Sequence, residues 1–305
     1  MELVLSYTAS TSESAAKLAT VLGVHQDRRE PATIFVAGRV AEKEREFLLP
    51  AVEETGDLVD VNTSTYRHIR VLRKVPWSMP HPSDQLLAEE ITSGARAMRS
   101  VLGRPCRGVR PAEGAGAGFR GWASNLSAMR EAGLTWSSTY LRSTYGDTAP
   151  GDLCGPFRYD ADGYSDLLEL PSHGWMDSAI KEYEGADTCD QQRIVRWPSP
   201  FAYPDELVKT PEEEFAVHQR TLNVAEAACL PYCCLAFDVD STVRPQDPEA
   251  RIISLLIDHA AEKGMPLTTL DDLAERFEGM DPTTFDGPPI PSSRGDEFDP
   301  GTLFA

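Results

Sequence analysis

Pro31-Ala32-Thr33-Ile34-Phe35-Val36-Ala37-Gly38 is the stretch on which the fold turns. A short apolar run opened by proline and closed by glycine reads as a buried strand that enters a βα turn. Apolar runs of this kind alternate along the chain with helix-period patterns, which is the signature of βα units and a mainly parallel sheet.

Working outward, strands are expected at 3–7, 32–37, 58–61, 134–138, 167–171, 232–237 and 266–269, with a further one ending at Val109. Helices are expected at 15–22, 41–54, 84–101, 119–132, 211–228, 248–263 and 270–277. The helix over 84–101 is the best signalled. Ser83 caps it, Gly103 stops it, and Leu86, Leu87, Ile91, Ala95, Met98 and Leu102 share one face. Thr210-Pro211-Glu212-Glu213 supplies an N-cap, a first-turn proline and first-turn acids for another. Gly114-Ala115-Gly116-Ala117-Gly118 reads as a loop or a tight βα connection, and without a following Lys-Ser/Thr it is a poor phosphate cradle. Residues 1–278 are expected to form one domain, and 279–305, rich in Pro, Gly and Asp, a surface or disordered tail.

Composition bounds the partners. The 305 residues carry a formal charge of −19, which argues against nucleic acid and anionic membrane surfaces, since both need a basic footprint. The partner is expected to be neutral or cationic. Six lysines against 23 arginines on an acid-rich chain fit either a high-salt cytoplasm or a GC-rich genome. Met-Glu-Leu-Val-Leu-Ser-Tyr has no basic start, and no run reaches the ~18 apolar residues of a membrane span, so a cytoplasmic location is expected. Cys106, Cys154, Cys189, Cys229, Cys233 and Cys234 show no zinc-like spacing and read as free thiols.

Taken in order, several segments resemble the NodB-homology polysaccharide deacetylases (carbohydrate esterase family 4). They are Leu5-Ser6-Tyr7, Pro31 to Gly38, Val101-Leu102-Gly103-Arg104-Pro105, Val109-Arg110-Pro111, Gly133 to Ser138, Leu168-Glu169-Leu170-Pro171 and Pro266 to Leu270. The resemblance implies an α/β fold with a distorted or incomplete (β/α) barrel, and a site at the carboxyl ends of its strands.

The family's catalytic positions read differently in this chain. Two adjacent aspartates, a base and a metal ligand, are replaced by Thr8 and Ala9. The family's two metal histidines, four residues apart, match either Ser64 and His68, which keeps one, or Asn62 and Tyr66, which keeps neither. With so few donors left, no cofactor is expected; a zinc-like divalent ion belongs only to the alternative reading, held at most by His68 with His81. In Arg110-Pro111-Ala112-Glu113-Gly114 the motif's arginine and glycine persist, and Glu113 replaces a tyrosine. Ser137 stands at an aspartate position, and Phe237 or Asp238 at that of the general-acid histidine.

The candidate cleft therefore comprises Thr8, Ser10, Ser64, His68, Arg110, Glu113, Trp136 and His173, with Glu113 and Asp238 as candidate catalytic carboxylates. Trp77, Trp122, Trp136, Trp175 and Trp197 include possible sugar platforms, though core packing is the commoner use. Three functions are open. The first is a degenerate deacetylase that binds a glycan, an N-acetylated small molecule or a protein partner. The second is a working amide hydrolase built from His68, His81, Glu113 and Asp238. The third is a structural or assembly component. The first is favoured.

Overall fold

The computed structural model describes residues 1–69, 83–112, 118–139, 153–181 and 207–279. An eight-stranded sheet comprises β1 (Glu2–Ala9), β2 (Ala32–Val36), β3 (Val59–Thr63), β4 (Gly108–Val109), β5 (Trp136–Ser137), β6 (Phe157–Tyr159), β7 (Tyr164–Glu169) and β8 (Tyr232–Asp238). The spatial order is β6-β7-β5-β4-β3-β2-β1-β8, and every pairing is parallel except β6 with β7. The helices are α1 (Ser12–Arg28), α2 (Gly38–Lys43), α3 (Arg45–Thr55), α4 (Asp84–Leu102), α5 (Ala123–Glu131), α6 (Asp177–Ile180), α7 (Pro211–Ala227), α8 (Val239–Thr242), α9 (Arg251–Lys263) and α10 (Leu270–Glu278).

Strand alternation sorts the side chains into two layers. Leu3, Leu5, Tyr7 and Ala9 of β1 face the helices, as do Ile34, Val36, Val61, Val109, Leu235 and Phe237. Val4, Phe35, Trp136, Leu168, Leu170, Tyr232 and Cys234 turn inward and pack with Leu270, Leu273, Ala274 and Phe277 of α10, which plugs the floor. Thr33 Oγ1 and Asp60 Oδ2 accept from the backbone N–H groups of Leu270 and Asp271, fixing that plug to β2 and β3.

Two short strands need side-chain help. The β3–β4 ladder has a single register pair, Thr63 with Val109, and Asn62 Oδ1 extends it by accepting from Arg107 N (2.9 Å) and Gly108 N (2.7 Å). Gly108 lies under the Trp136 indole, where a Cβ would come within 2.1 Å of the ring, so only glycine fits. The curled sheet is not closed by a ladder. Among the described residues the continuation of β7 meets β8 at one parallel bridge, His173 with Leu235.

Several details differ from the sequence expectations. The helix expected over 41–54 is two helices, because Glu44 leaves the helical region (φ −103°, ψ 24°). The strand expected at 266–269 is one bridge, Leu3 with Leu267, beside the floor plug. The antiparallel β6, between the strands expected at 134–138 and 167–171, was not anticipated, because its few apolar residues give no clear period. The proposed tail lies outside the described residues beyond Gly279, as does the glycine-rich run up to Ala117. Cys106, Cys154, Cys229, Cys233 and Cys234 are free thiols. Among the described residues no helix is long and apolar enough to cross a membrane.

Candidate functional site

The carboxyl ends of β1, β3, β4, β5 and β8 converge on the mouth of the lumen. Thr8 is the inward residue at the end of β1, in register with Phe35 on one side and Asp238 on the other. Its hydroxyl is buried and has no hydrogen-bond partner among the described residues. Ala9 points the other way and is fully buried against the helical layer, and Ser10 follows half-buried.

Ser64 comes directly after β3, its N–H donating to Val36 O. Its Oγ lies 2.6 Å from His68 Nδ1 and 3.1 Å from Arg110 O. The turn that joins Ser64 to His68 carries two non-glycine residues in the left-handed region, Thr65 (φ 58°) and His68 (φ 57°). Both helices behind it hold it in place. The N–H groups of Gly38 and Arg39 donate to Thr65 O and Tyr66 O, and Glu90 of α4 accepts from Arg67 N (2.7 Å) and Arg67 Nε (2.5 Å). Gly94 lets α4 come this close, since a Cβ there would lie 2.6 Å from the Thr65 carbonyl carbon. Burial pushes the His68 imidazole down to about 4, so it is neutral at pH 7.

This geometry separates the two motif matches. Ser64 and His68 face each other at the mouth. Asn62 is spent on β4, and the Tyr66 hydroxyl donates outward to Glu42 Oε2.

Arg110 lies fully buried across the lumen below the mouth. Its Nη2 donates to Ser6 Oγ and Ser138 Oγ, both at 3.0 Å, its Nε to Ser138 O, and the guanidinium stacks on the Phe35 ring at 4.1 Å. Cys234 Sγ is 3.9 Å from Nη2. Of the two candidates at the end of β8, Phe237 faces outward and stacks on Tyr7, whereas Asp238 shares the inward face with Thr8. The Asp238 backbone N–H donates to Asp177 Oδ1.

Two expected cleft residues, Trp136 and His173, sit elsewhere, as does the motif position Ser137. Trp136 is a floor residue, its Nε1 donating to Asp271 Oδ1, because the parity that turns it inward also puts it at the lower end of β5. His173 is buried rather than on a rim loop, since residues 170–173 continue from β7 toward β8. Its Nδ1 accepts from Cys234 N (3.0 Å), so its Nε2 carries the proton and donates to Cys154 O (2.9 Å). Ser137 faces outward, bonded with Tyr159 to the buried Glu169 carboxylate. His81 and Glu113 lie outside the described residues.

The buried polar groups behind the mouth were missed by sequence reading. Lys181 Nζ meets Asp177 Oδ2 (3.0 Å), Glu214 Oε1 (2.6 Å) and Ser241 O (3.1 Å), all fully or almost fully buried. The available signal was a charge on an otherwise apolar helix stripe: Glu90 between Leu87 and Ile91, and Glu214 with His218 and Thr221 on the inner face of α7.

The family's divalent ion does not fit the residues present. Two of its ligand positions hold the Ala9 methyl, packed outward, and the Ser64 hydroxyl, already engaged, which leaves His68 as the one strong donor there. Among the described residues no group of three or more His, Cys, Asp or Glu side chains is placed to hold a metal.

No protein-family model matches this sequence, and no curated protein does. Solved structures do match. A Mycobacterium smegmatis protein described as a polysaccharide deacetylase is 16% identical over 95% of this chain and 94% of its own, with a TM-score of 0.65. The chain has the NodB-type deacetylase fold. A polysaccharide deacetylase of Pseudomonas aeruginosa is 14% identical over 92% of both chains (TM-score 0.60). A CE4 family pseudoenzyme from Bacillus anthracis is 12% identical over 90% of this chain and 65% of its own (TM-score 0.52), and a mutant of it with restored enzymatic activity matches equally well.

Proposed function

We propose that this protein keeps the NodB-type barrel and its mouth as a binding cleft for a neutral, N-acetylated glycan, and has lost metal-dependent deacetylation. The observation that carries this reading is at the end of β1, where a lumen-facing Thr8 hydroxyl and an outward Ala9 methyl stand in place of two carboxylates. A metal site without those charges has little to set against the hydration of a divalent cation. What remains suits a sugar: the buried Thr8 hydroxyl, which has no partner among the described residues, and Ser64 with His68 after the end of β3 offer hydrogen-bonding groups that a glycan hydroxyl or acetamido group engages. The existence of a CE4 pseudoenzyme on the same fold supports the reading by analogy alone.

The test is elemental analysis of protein purified without chelator, with calorimetric titration of N-acetylated chito-oligosaccharides and an assay for released acetate. Well under one equivalent of zinc, measurable binding and no acetate are expected. Stoichiometric metal whose removal abolishes turnover would overturn the proposal, and absence of any binding would remove the glycan from it.

A further inference from the structure

Outside the barrel, α4 and α5 part around a cavity of about 410 Å³ lined by Thr92, Arg96, Arg99, Glu131 and Ala132. Thr92, Arg96 and Arg99 share one face of α4, at four- and three-residue spacing, and Glu131 and Ala132 stand at the carboxyl end of α5. We infer that this cavity binds a free α-amino acid as its zwitterion, with the carboxylate on Arg96 and Arg99 and the ammonium on Glu131 and Thr92 Oγ1.

Opposite charges face the cavity without closing on one another. Among the described residues no ion pair joins Glu131 to either arginine. Two of the three charges are tied down elsewhere: Arg99 Nη2 donates to Cys106 O (3.0 Å) and to Ala132 O, and Glu131 Oε1 accepts from Ser127 Oγ (3.0 Å) on its own helix. Arg96 is exposed, and its guanidinium makes no hydrogen bond or ion pair among the described residues. Thr92 Oγ1 spends its one proton on Ala88 O and Glu89 O, so toward the cavity it can only accept.

The walls therefore offer two donor forks and two acceptors, and each set calls for the opposite chemistry. A simple anion would satisfy the arginines but stand against Glu131, in a chain already at −19. A simple amine would satisfy Glu131 and face two guanidiniums. A ligand that carries both charges and no net charge meets both sets. Its carboxylate matches the planar fork of an arginine, and the carbonyl end of α5 adds partial negative charge on the side of Glu131, where the ammonium lies. Arg99 is already held in place, so less side-chain freedom is lost on binding. The volume is near the lower end of the ~300–1,000 Å³ of small-molecule sites, which suits an amino acid and not an oligosaccharide.

The cavity shares no residue with the mouth, so the inference stands or falls apart from the glycan reading. Ligand-observed NMR of the full chain with the twenty standard L-amino acids, followed by calorimetric titration of the tightest, is expected to show saturable binding with Kd of about 1 mM or below. The deaminated carboxylate and the decarboxylated amine of that amino acid should each bind at least about tenfold more weakly. Arg96→Gln, which removes no hydrogen bond or ion pair among the described residues, should weaken the amino acid about ten- to a hundredfold. Glu131→Gln should bring the deaminated carboxylate level with the amino acid or above it, a reversal that a change in folding alone would not produce. Failure of all twenty to bind, binding that Arg96→Gln leaves unchanged, a preference that Glu131→Gln does not alter, or a half-ligand or inorganic phosphate that binds the parent as tightly as the amino acid would overturn the inference.

Discussion

Acidification should weaken this fold through its buried imidazoles, and His173 gives the sharpest case. Burial lowers it from 6.5 to about 4, against a smaller opposing contribution from the Cys154 carbonyl. Above pH 6.5 neither the folded nor the unfolded chain protonates this residue, so its contribution is complete there. Between 6.5 and 4 the unfolded chain binds a proton that the folded site refuses, and stability falls by about 1.4 kcal/mol per pH unit. By pH 4 the loss is about 3 kcal/mol, a large share of the ~5–15 kcal/mol that holds a domain together. The proton has a mechanical meaning as well. Nδ1 is the acceptor for Cys234 N, and a protonated ring can no longer accept, so the bridge between the continuation of β7 and β8 loses a bond. His173→Asn keeps an acceptor near Nδ1 and does not titrate. Urea unfolding of the parent and this variant at half-unit steps from pH 7 to 4.5 should show the variant weaker by about 1–2 kcal/mol at pH 7, for the lost bond to Cys154 O. Its slope against pH should be shallower by about 1.4 kcal/mol per unit, leaving the shares of His25 and His68, which burial also lowers to about 4. Equal slopes in the two proteins would refute the argument.

Three further outcomes are expected. Lys181→Met leaves the Asp177 and Glu214 carboxylates buried without their shared cation and should cost about 3–5 kcal/mol in denaturant unfolding, while Lys181→Met with Glu214→Gln recovers part of it; a cost under 1 kcal/mol for the single variant would contradict the network. Gly108→Ala drives a methyl into Trp136, so a loss of at least about 1–3 kcal/mol and an altered near-ultraviolet dichroism are expected, and an unchanged midpoint would mean the indole is not where we place it. Thr8→Asp, Ala9→Asp and Ser64→His together should raise zinc content yet leave deacetylation of chito-oligosaccharides near background, because base, acid and metal act as a unit; substantial turnover in the triple variant would show that the rest of the mouth had stayed competent.

The alternation of strand and helix was legible because it depends on local periodicity, and a fully buried strand such as Ala32–Val36 announces itself in five residues. The site was legible as far as strand ends locate it, which is why Thr8, Ser64, His68, Arg110 and Asp238 reach the mouth or the lumen just below it. What sequence could not supply is parity and depth. Trp136 and Ser138 both point inward, but one is floor and the other meets the Arg110 guanidinium, and the difference is a register that only the pairing with Gly108 sets. His173 was misplaced for a related reason. A Pro-Ser-His-Gly segment reads as a loop, and nothing local says that a distant strand is waiting to bond it.

The left-handed turn between Ser64 and His68 also dictates an order of assembly. Its two unfavourable backbone conformations, about 1–3 kcal/mol each, are only partly offset within the segment, by the Ser64–His68 hydrogen bond. Further relief comes from the α2 amides on Thr65 and Tyr66, and the rest from Glu90, more than twenty positions downstream, once α4 has docked with Gly94 against Thr65. The mouth is therefore complete only once the helix that backs it has docked, and local opening of α4 loosens it again. Amide exchange at Arg67, whose N–H is held by Glu90, should report the opening of α4 rather than that of β3, making the pocket the late-folding edge of a barrel whose sheet is already in place.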